Sequence, residues 1–136
     1  VLTMQREVAE RICAEPGDLA LLALSVQVFG RPFISGIIPA EAFHPVPNVD
    51  SATLRIDMYQ HALFNDKQRE QFFRLIHMGF AQKRKMLRNT LSAGLHIPGE
   101  EAAAYLSAAG VDPERRAQTL NLAEWKTLVN ELQDIL

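Results

Sequence analysis

Pro39-Ala-Glu-Ala-Phe-His-Pro-Val-Pro-Asn-Val-Asp-Ser-Ala-Thr-Leu-Arg-Ile-Asp-Met58 is a stiff loop running into a strand, and its two halves decide how the first part of the chain is read. From Ala52 to Met58 the apolar Leu54, Ile56 and Met58 alternate with Thr53, Arg55 and Asp57, the period of a strand with one covered face. Ahead of it, Pro39, Pro45 and Pro47 fix backbone angles and leave the segment few unfolded conformations to lose, so Phe43 is held in one pose. Two uses of that aromatic remain open: a platform for a flat ligand, or a plug in the core beneath a rigid connector. Stacking of a base on an aromatic ring is worth roughly 1–3 kcal/mol and suits an enzyme that takes a base out of its stack.

Upstream, Val1 to Met4 reads as the tail of a buried strand, and Gln5 to Ala14 as a helix with Val8, Ala9 and Ile12 on one side, ended by Pro16 and Gly17. Leu19 to Phe29 is apolar almost throughout and reads as a buried helix closed by Gly30 to Pro32, after which Phe33 to Ile38 has strand character. Up to this point the pattern is mixed α/β. Beyond Asn65 it is helical alone, which places a domain boundary near His61 to Asp66. Asp66 is the expected N-cap of one long helix through about Ser92, with Phe72, Phe73, Ile76, Phe80, Leu87 and Leu91 on one face. Arg74, Arg84, Lys85 and Arg88 lie around another face, and Lys83 on the border of the apolar stripe. Two further helices are expected, Glu100 to Ala109 before Gly110 and about Leu122 to Ile135, with Asp112-Pro113 opening a turn of helix between them.

The charge is unevenly spread. The chain carries -2 overall, yet Gln71 to Gly99 holds Arg74, Lys83, Arg84, Lys85 and Arg88 and no acidic residue, +5 against -7 for the remainder. No carboxylate stands four residues from Lys83, Arg84, Lys85 or Arg88 to pair with them, so phosphate neutralisation is favoured over a plain solvated face. The 136 residues, 48% hydrophobic and 22% charged, suffice for one compact domain, or for part of a larger one with a small appendage. No apolar run approaches a membrane span and no signal-like start is present, so a cytoplasmic protein is expected. Cys13 is single and reads as an inert thiol, and His44, His61, His77 and His96 lack ligand spacing, so no metal is expected. There is no glycine-rich loop after a strand, no paired carboxylates and no nucleophile elbow. Glu7 and Glu10 with Arg6 and Arg11 read as a solvated helix face.

Five stretches occur in the order and spacing of a known family. They are Gln5-Arg-Glu-Val-Ala-Glu-Arg11, Leu24-Ser-Val26, Ala42-Phe-His-Pro-Val-Pro-Asn-Val-Asp-Ser-Ala52, Phe80-Ala-Gln-Lys-Arg-Lys-Met-Leu-Arg-Asn89 and Gly110-Val-Asp-Pro113. Across essentially its whole length the chain resembles the C-terminal half of the 16S rRNA adenine dimethyltransferase family (KsgA). The Phe-x-Pro-x-Pro-x-Val-Asp-Ser element is the most specific match. Two departures concern local contacts: Leu-Ala-Leu-Leu-Ala replaces a usual Tyr-Gly pair before Leu24, and Val46 and Asn48 stand where a proline and a basic residue are common.

The resemblance implies a Rossmann-like S-adenosylmethionine-dependent methyltransferase domain, of which residues 1–62 are the C-terminal part, followed by a small helical RNA-contacting domain, residues 63–136. The implied enzyme methylates the exocyclic amines of two adjacent adenines near the 3′ end of small-subunit rRNA, within the 30S ribosomal particle. Its donor loop and Asn-Leu-Pro-Tyr motif are absent here, so no catalytic or cofactor-binding residue is expected in the chain, and the fragment alone is expected to be inactive. Phe43, with Pro45 and Pro47, is similar to the aromatic loop that packs on a flipped base. Arg74, Lys83, Arg84, Lys85 and Arg88 are expected to face RNA. Two alternatives stand beside this: a macrolide-resistance rRNA methyltransferase, against which the Gln82-Lys-Arg-Lys-Met-Leu-Arg-Asn89 helix speaks, and a non-catalytic RNA- or ribosome-binding module. Open strand edges in such a fragment invite a dimer or domain swap.

Overall fold

A computed structural model describes residues 1–136. The chain forms two compact units, Val1–Ala14 with Leu22–Leu63, and Glu15–Leu21 with Phe64–Leu136. Six α-helices and three strands build it, and no helix is long and apolar enough to cross a membrane.

In the first unit β1 (Leu2–Gln5), β2 (Gly30–Ile38) and β3 (Ser51–Met58) make an antiparallel sheet in the order β1-β3-β2. Helix α1 (Arg6–Ile12) covers one face of it, so that Ala9 and Ile12 pack on Ala52 and Leu54, flanked by Met4, Val8, Val26, Ile34 and Ile56. The alternation along β3 is matched by burial at Leu54 but fades outward: Ile56 is half-buried and Met58 is 65% exposed. A bulge at Ser35 in β2 lets Ile34 face Leu54 and Ile37 face Ala52, three residues apart on one face.

Two expectations need correction in this unit. The strand at the N-terminus is an edge: β1 pairs with β3 alone, and Val1 and Leu2 are exposed. The apolar run Leu19 to Phe29 is a shorter helix, α2 (Leu21–Gln27), which buries only the stripe containing Ala23 and Leu24. The helical period leaves Leu22 partly in solvent, and Phe29, in the turn that follows the helix, is partly in solvent too. Gln27 finishes α1, its amide donating to the carbonyls of Ile12 (2.9 Å) and Ala14 (3.0 Å), groups that have no partner within the helix.

The second unit packs α3 (Asp66–Gly79), α4 (Leu87–Leu95), α5 (Gly99–Ala108) and α6 (Leu122–Leu132) around Phe72, Leu75, Ile76, Leu87, Leu91, Leu106, Trp125 and Leu128. Its first helix begins one residue earlier in role than the sequence suggests. Asn65, not Asp66, is the N-cap, accepting from Gln68 N while the Gln68 side chain accepts from Asn65 N. Asn121 and Glu124 repeat that capping box at α6. Gly110 ends α5 at φ 77, a conformation open to glycine at little cost, and Val111 N returns to Leu106 O.

The long helix expected from Asp66 to Ser92 is two helices with the segment Phe80 to Met86 between them. At the break the first free amides of α4 find partners elsewhere in the chain: Leu87 N donates to Arg115 O (2.8 Å) and Arg88 N to Pro113 O (3.2 Å). Gly79 lets α3 end directly against the Trp125 ring, and Phe80 stacks on that ring with centroids 6.1 Å apart.

Candidate nucleic-acid interface

The connection from β2 to β3 belongs to the first unit. After Pro39 a short turn, Ala40–Ala42, leads into extended Phe43, and the His44–Pro45 peptide is cis. Asp50 fastens both ends: its Oδ1 accepts from Ala40 N at 2.9 Å, its carbonyl accepts from Arg6 N at 3.0 Å, and its Oδ2 lies 3.7 Å from the Arg6 guanidinium. From Glu41 to Val49 every residue is exposed. Phe43 itself is 39% exposed. It therefore does not plug the core of this unit. Pro45 and Pro47 lie in the same exposed loop, and Pro47, Val46 and Asn48 border an open depression shared with Arg6, Glu7, Glu10 and Asp50.

The basic residues belong to the second unit, and the helix break changes their setting. Lys83, Arg84 and Lys85 lie on the loop between α3 and α4, not on a helix face; Arg74 is on α3 and Arg88 on α4. All five are exposed and none has a carboxylate within ion-pair distance. Lys83 and Arg84 share an open depression of about 520 Å³ with Arg116 and Gln118. Arg116 was not singled out from sequence. Its Nε donates to Arg84 O at 3.0 Å, so it braces the basic loop and adds its own charge beside it. The signal was masked because Asp112 and Glu114 cancel Arg115 and Arg116 in any windowed count of charge.

Next to Arg116, Arg115 points the other way. Its guanidinium forks onto Glu124, donating to Oε2 and, at 3.1 Å, to Oε1, and it also reaches Thr119 O at 2.5 Å and Thr119 Oγ1 at 3.2 Å. That hydrogen-bonded guanidinium holds the Glu124 carboxyl below the usual glutamate range, with the Asn121 amide adding to the effect and partial burial opposing it. In the first unit, burial pushes the half-buried Cys13 thiol up, which favours its neutral form. No group of three or more His, Cys, Asp or Glu side chains converges as a metal site would need.

Residues 1–134 match the family model described as "Ribosomal RNA adenine dimethylase". The chain is similar to "Ribosomal RNA small subunit methyltransferase A" of Dehalococcoides mccartyi strain 195, 41% identical over 94% of this chain and 44% of that protein. It is also similar to the protein of that name from Geobacillus thermodenitrificans, 37% identical over 99% of this chain and 48% of that one. The chain thus spans slightly under half the length of these curated relatives. Among solved structures, a dimethyladenosine transferase from Plasmodium falciparum matches with a TM-score of 0.83 at 20% identity, over 98% of this chain and 56% of that one. The 23S rRNA methyltransferase ErmE matches with a TM-score of 0.67 at 21% identity, over 96% of this chain and 53% of that one. At these identities the structures speak for a shared fold.

Proposed function

The chain belongs to the ribosomal RNA adenine dimethylase family, and on that footing we propose that it is the RNA-holding part of an enzyme that dimethylates two adjacent adenines near the 3′ end of small-subunit rRNA. In this reading residues 1–62 form the C-terminal part of the methyltransferase domain and residues 63–136 the helical RNA-contacting domain. The protein works in the cytoplasm on the 30S ribosomal particle. The relatives' name supports small-subunit RNA as the substrate. The observation that carries the docking role is the unpaired basic loop Lys83, Arg84 and Lys85, with Arg116 braced against it and no carboxylate to neutralise it. Cations so placed gain by displacing the counterions of a phosphate backbone.

Phe43 supplies the second element, an exposed ring on a loop stiffened by Pro45 and Pro47 and fastened by Asp50. A base drawn out of its stack finds there a π-face that costs little ordering on binding. The methyl donor of this reaction class is S-adenosylmethionine, which supplies an electrophilic methyl group to the target amine. The residues present do not fit it: the seven glycines stand singly, with no Gly-x-Gly cradle, and none lines the depressions beside Phe43's loop or the basic loop. No step through the donor is assigned to this chain. Chemical footprinting on small-subunit rRNA tests the reading: protection of the adjacent adenines and neighbouring backbone is expected, and protection confined to unrelated sites refutes it.

A further inference from the structure

The basic loop has no helix or strand of its own, only a turn closed by Lys85 N donating to Gln82 O, and three further hydrogen bonds tie its region to one segment, Asp112 to Thr119. Arg115 O accepts from Leu87 N and Pro113 O from Arg88 N, which fix the start of α4, while Arg116 Nε donates to Arg84 O within the loop itself. That segment is in turn held by Arg115, whose fork onto Glu124 and bonds to Thr119 join it to the first turn of α6. Glu124 also accepts from Asn121 N, so its carboxylate serves the helix cap and the clamp at once. Charge-assisted and backbone hydrogen bonds thus link Glu124 to Arg115, the Asp112 to Thr119 segment to the start of α4, and Arg116 to the Arg84 carbonyl in the basic loop.

We infer that Arg115 and Glu124 are positioning residues for RNA docking: they face each other, not the RNA, and set the presentation of Lys83, Arg84 and Arg116 before RNA arrives. This rests on the reading of the basic loop as the docking surface. A loop ordered in advance loses less entropy on association, so the clamp acts on affinity without adding a phosphate contact. The pair itself is partly exposed, and as a surface ion pair it adds little to global stability. Stability and presentation are therefore separable.

Glu124→Gln is the decisive variant. Glutamine at this position keeps a capping box, but it removes the carboxylate that clamps Arg115. It also raises the net charge by one, so simple electrostatics predicts tighter RNA binding. Positioning predicts the opposite: affinity for small-subunit rRNA about tenfold weaker, as if one or two rotamer-rich side chains were ordered on binding, with the salt slope unchanged. Hydrogen exchange at the Leu87 and Arg88 amides is expected to speed up several-fold in the free protein. Arg115→Lys, which keeps the charge and loses the fork, is expected to behave alike and serves if Glu124→Gln folds poorly. Charge reversal of Lys83, Arg84 and Lys85 is measured alongside. If that reversal weakens binding while Glu124→Gln and Arg115→Lys bind as tightly as the parent, the clamp is refuted and the docking surface stands. If the reversal also has no effect, the docking reading fails and the inference with it.

Discussion

Gly79→Ala sets two effects of known size against each other. Gly79 closes α3, and alanine there gains at most about 1 kcal/mol of helix propensity. A methyl group at this position, however, comes to 2.8 Å from Trp125 Cη2 and 3.3 Å from Leu87 Cδ2. Carbon atoms prefer 3.5–4.0 Å. Neither neighbour can swing into solvent, since Trp125 and Leu87 are fully buried. Overpacking of such a site costs about 1–3 kcal/mol, so the net effect is a destabilisation of about 1–2 kcal/mol. For a unit of this size that corresponds to a fall in Tm of roughly 5–10 °C. Trp125 is the one tryptophan in the chain and lies in the second unit, so its fluorescence follows the unfolding of that unit. Because Phe80 stacks on the same ring at the entrance to the basic loop, displacement of Trp125 should also shift its emission in the folded state. An unchanged or higher Tm would show that the ring yields and that the close approach at Gly79 is not a constraint.

Phe43→Ala in the intact enzyme should lower methyl transfer to small-subunit RNA by roughly 10- to 100-fold, the equivalent of one lost stacking interaction, whereas Phe43→Tyr should keep most of it; equal loss in both would argue against stacking. Calorimetry of this chain with S-adenosylmethionine should show negligible binding, and a micromolar Kd would contradict the reading that the donor site lies outside it. The lowered pKa of Glu124 gives its pair with Arg115 a pH signature. The contribution is present above the ordinary glutamate range and is lost as pH falls through the lower folded-state value. Parent and Glu124→Gln should therefore differ in unfolding free energy at neutral pH, by no more than about 1 kcal/mol for a partly exposed pair, and converge in acid; a gap that widens in acid would reverse the sign.

The sequence was legible where the cause of structure is local. Alternation marked β3, Gly110 ended α5 as expected, Asp112-Pro113 opens a turn and not the turn of helix expected, and the shift to helices after Asn65 is present. What it hid depends on partners far along the chain. Nothing between Phe80 and Met86 announces a helix break, because the groups that make the break favourable are the carbonyls of Pro113 and Arg115. The bulge at Ser35 depends on the register of β2 against β3 and leaves no local pattern. Edge position made β1 exposed despite its apolar start. At the candidate site, the loop of Phe43 was readable as a stiff segment, but its fastening by Asp50 to Ala40 and Arg6 was not. Arg116 escaped for the same reason as the helix break: its role is fixed by a contact with Arg84.

The second unit is proposed to dock on RNA through an uncompensated basic loop. The most direct test is the salt dependence of binding to small-subunit rRNA, for the parent and for the variant with Lys83, Arg84, Lys85 and Arg88 reversed to Glu. Each phosphate neutralised contributes about 0.7–0.9 to the slope of log K against log salt. Loss of these four cations should make the slope shallower by about 3, with affinity falling at every salt concentration. Equal slopes and equal affinities for the two proteins would contradict the claim.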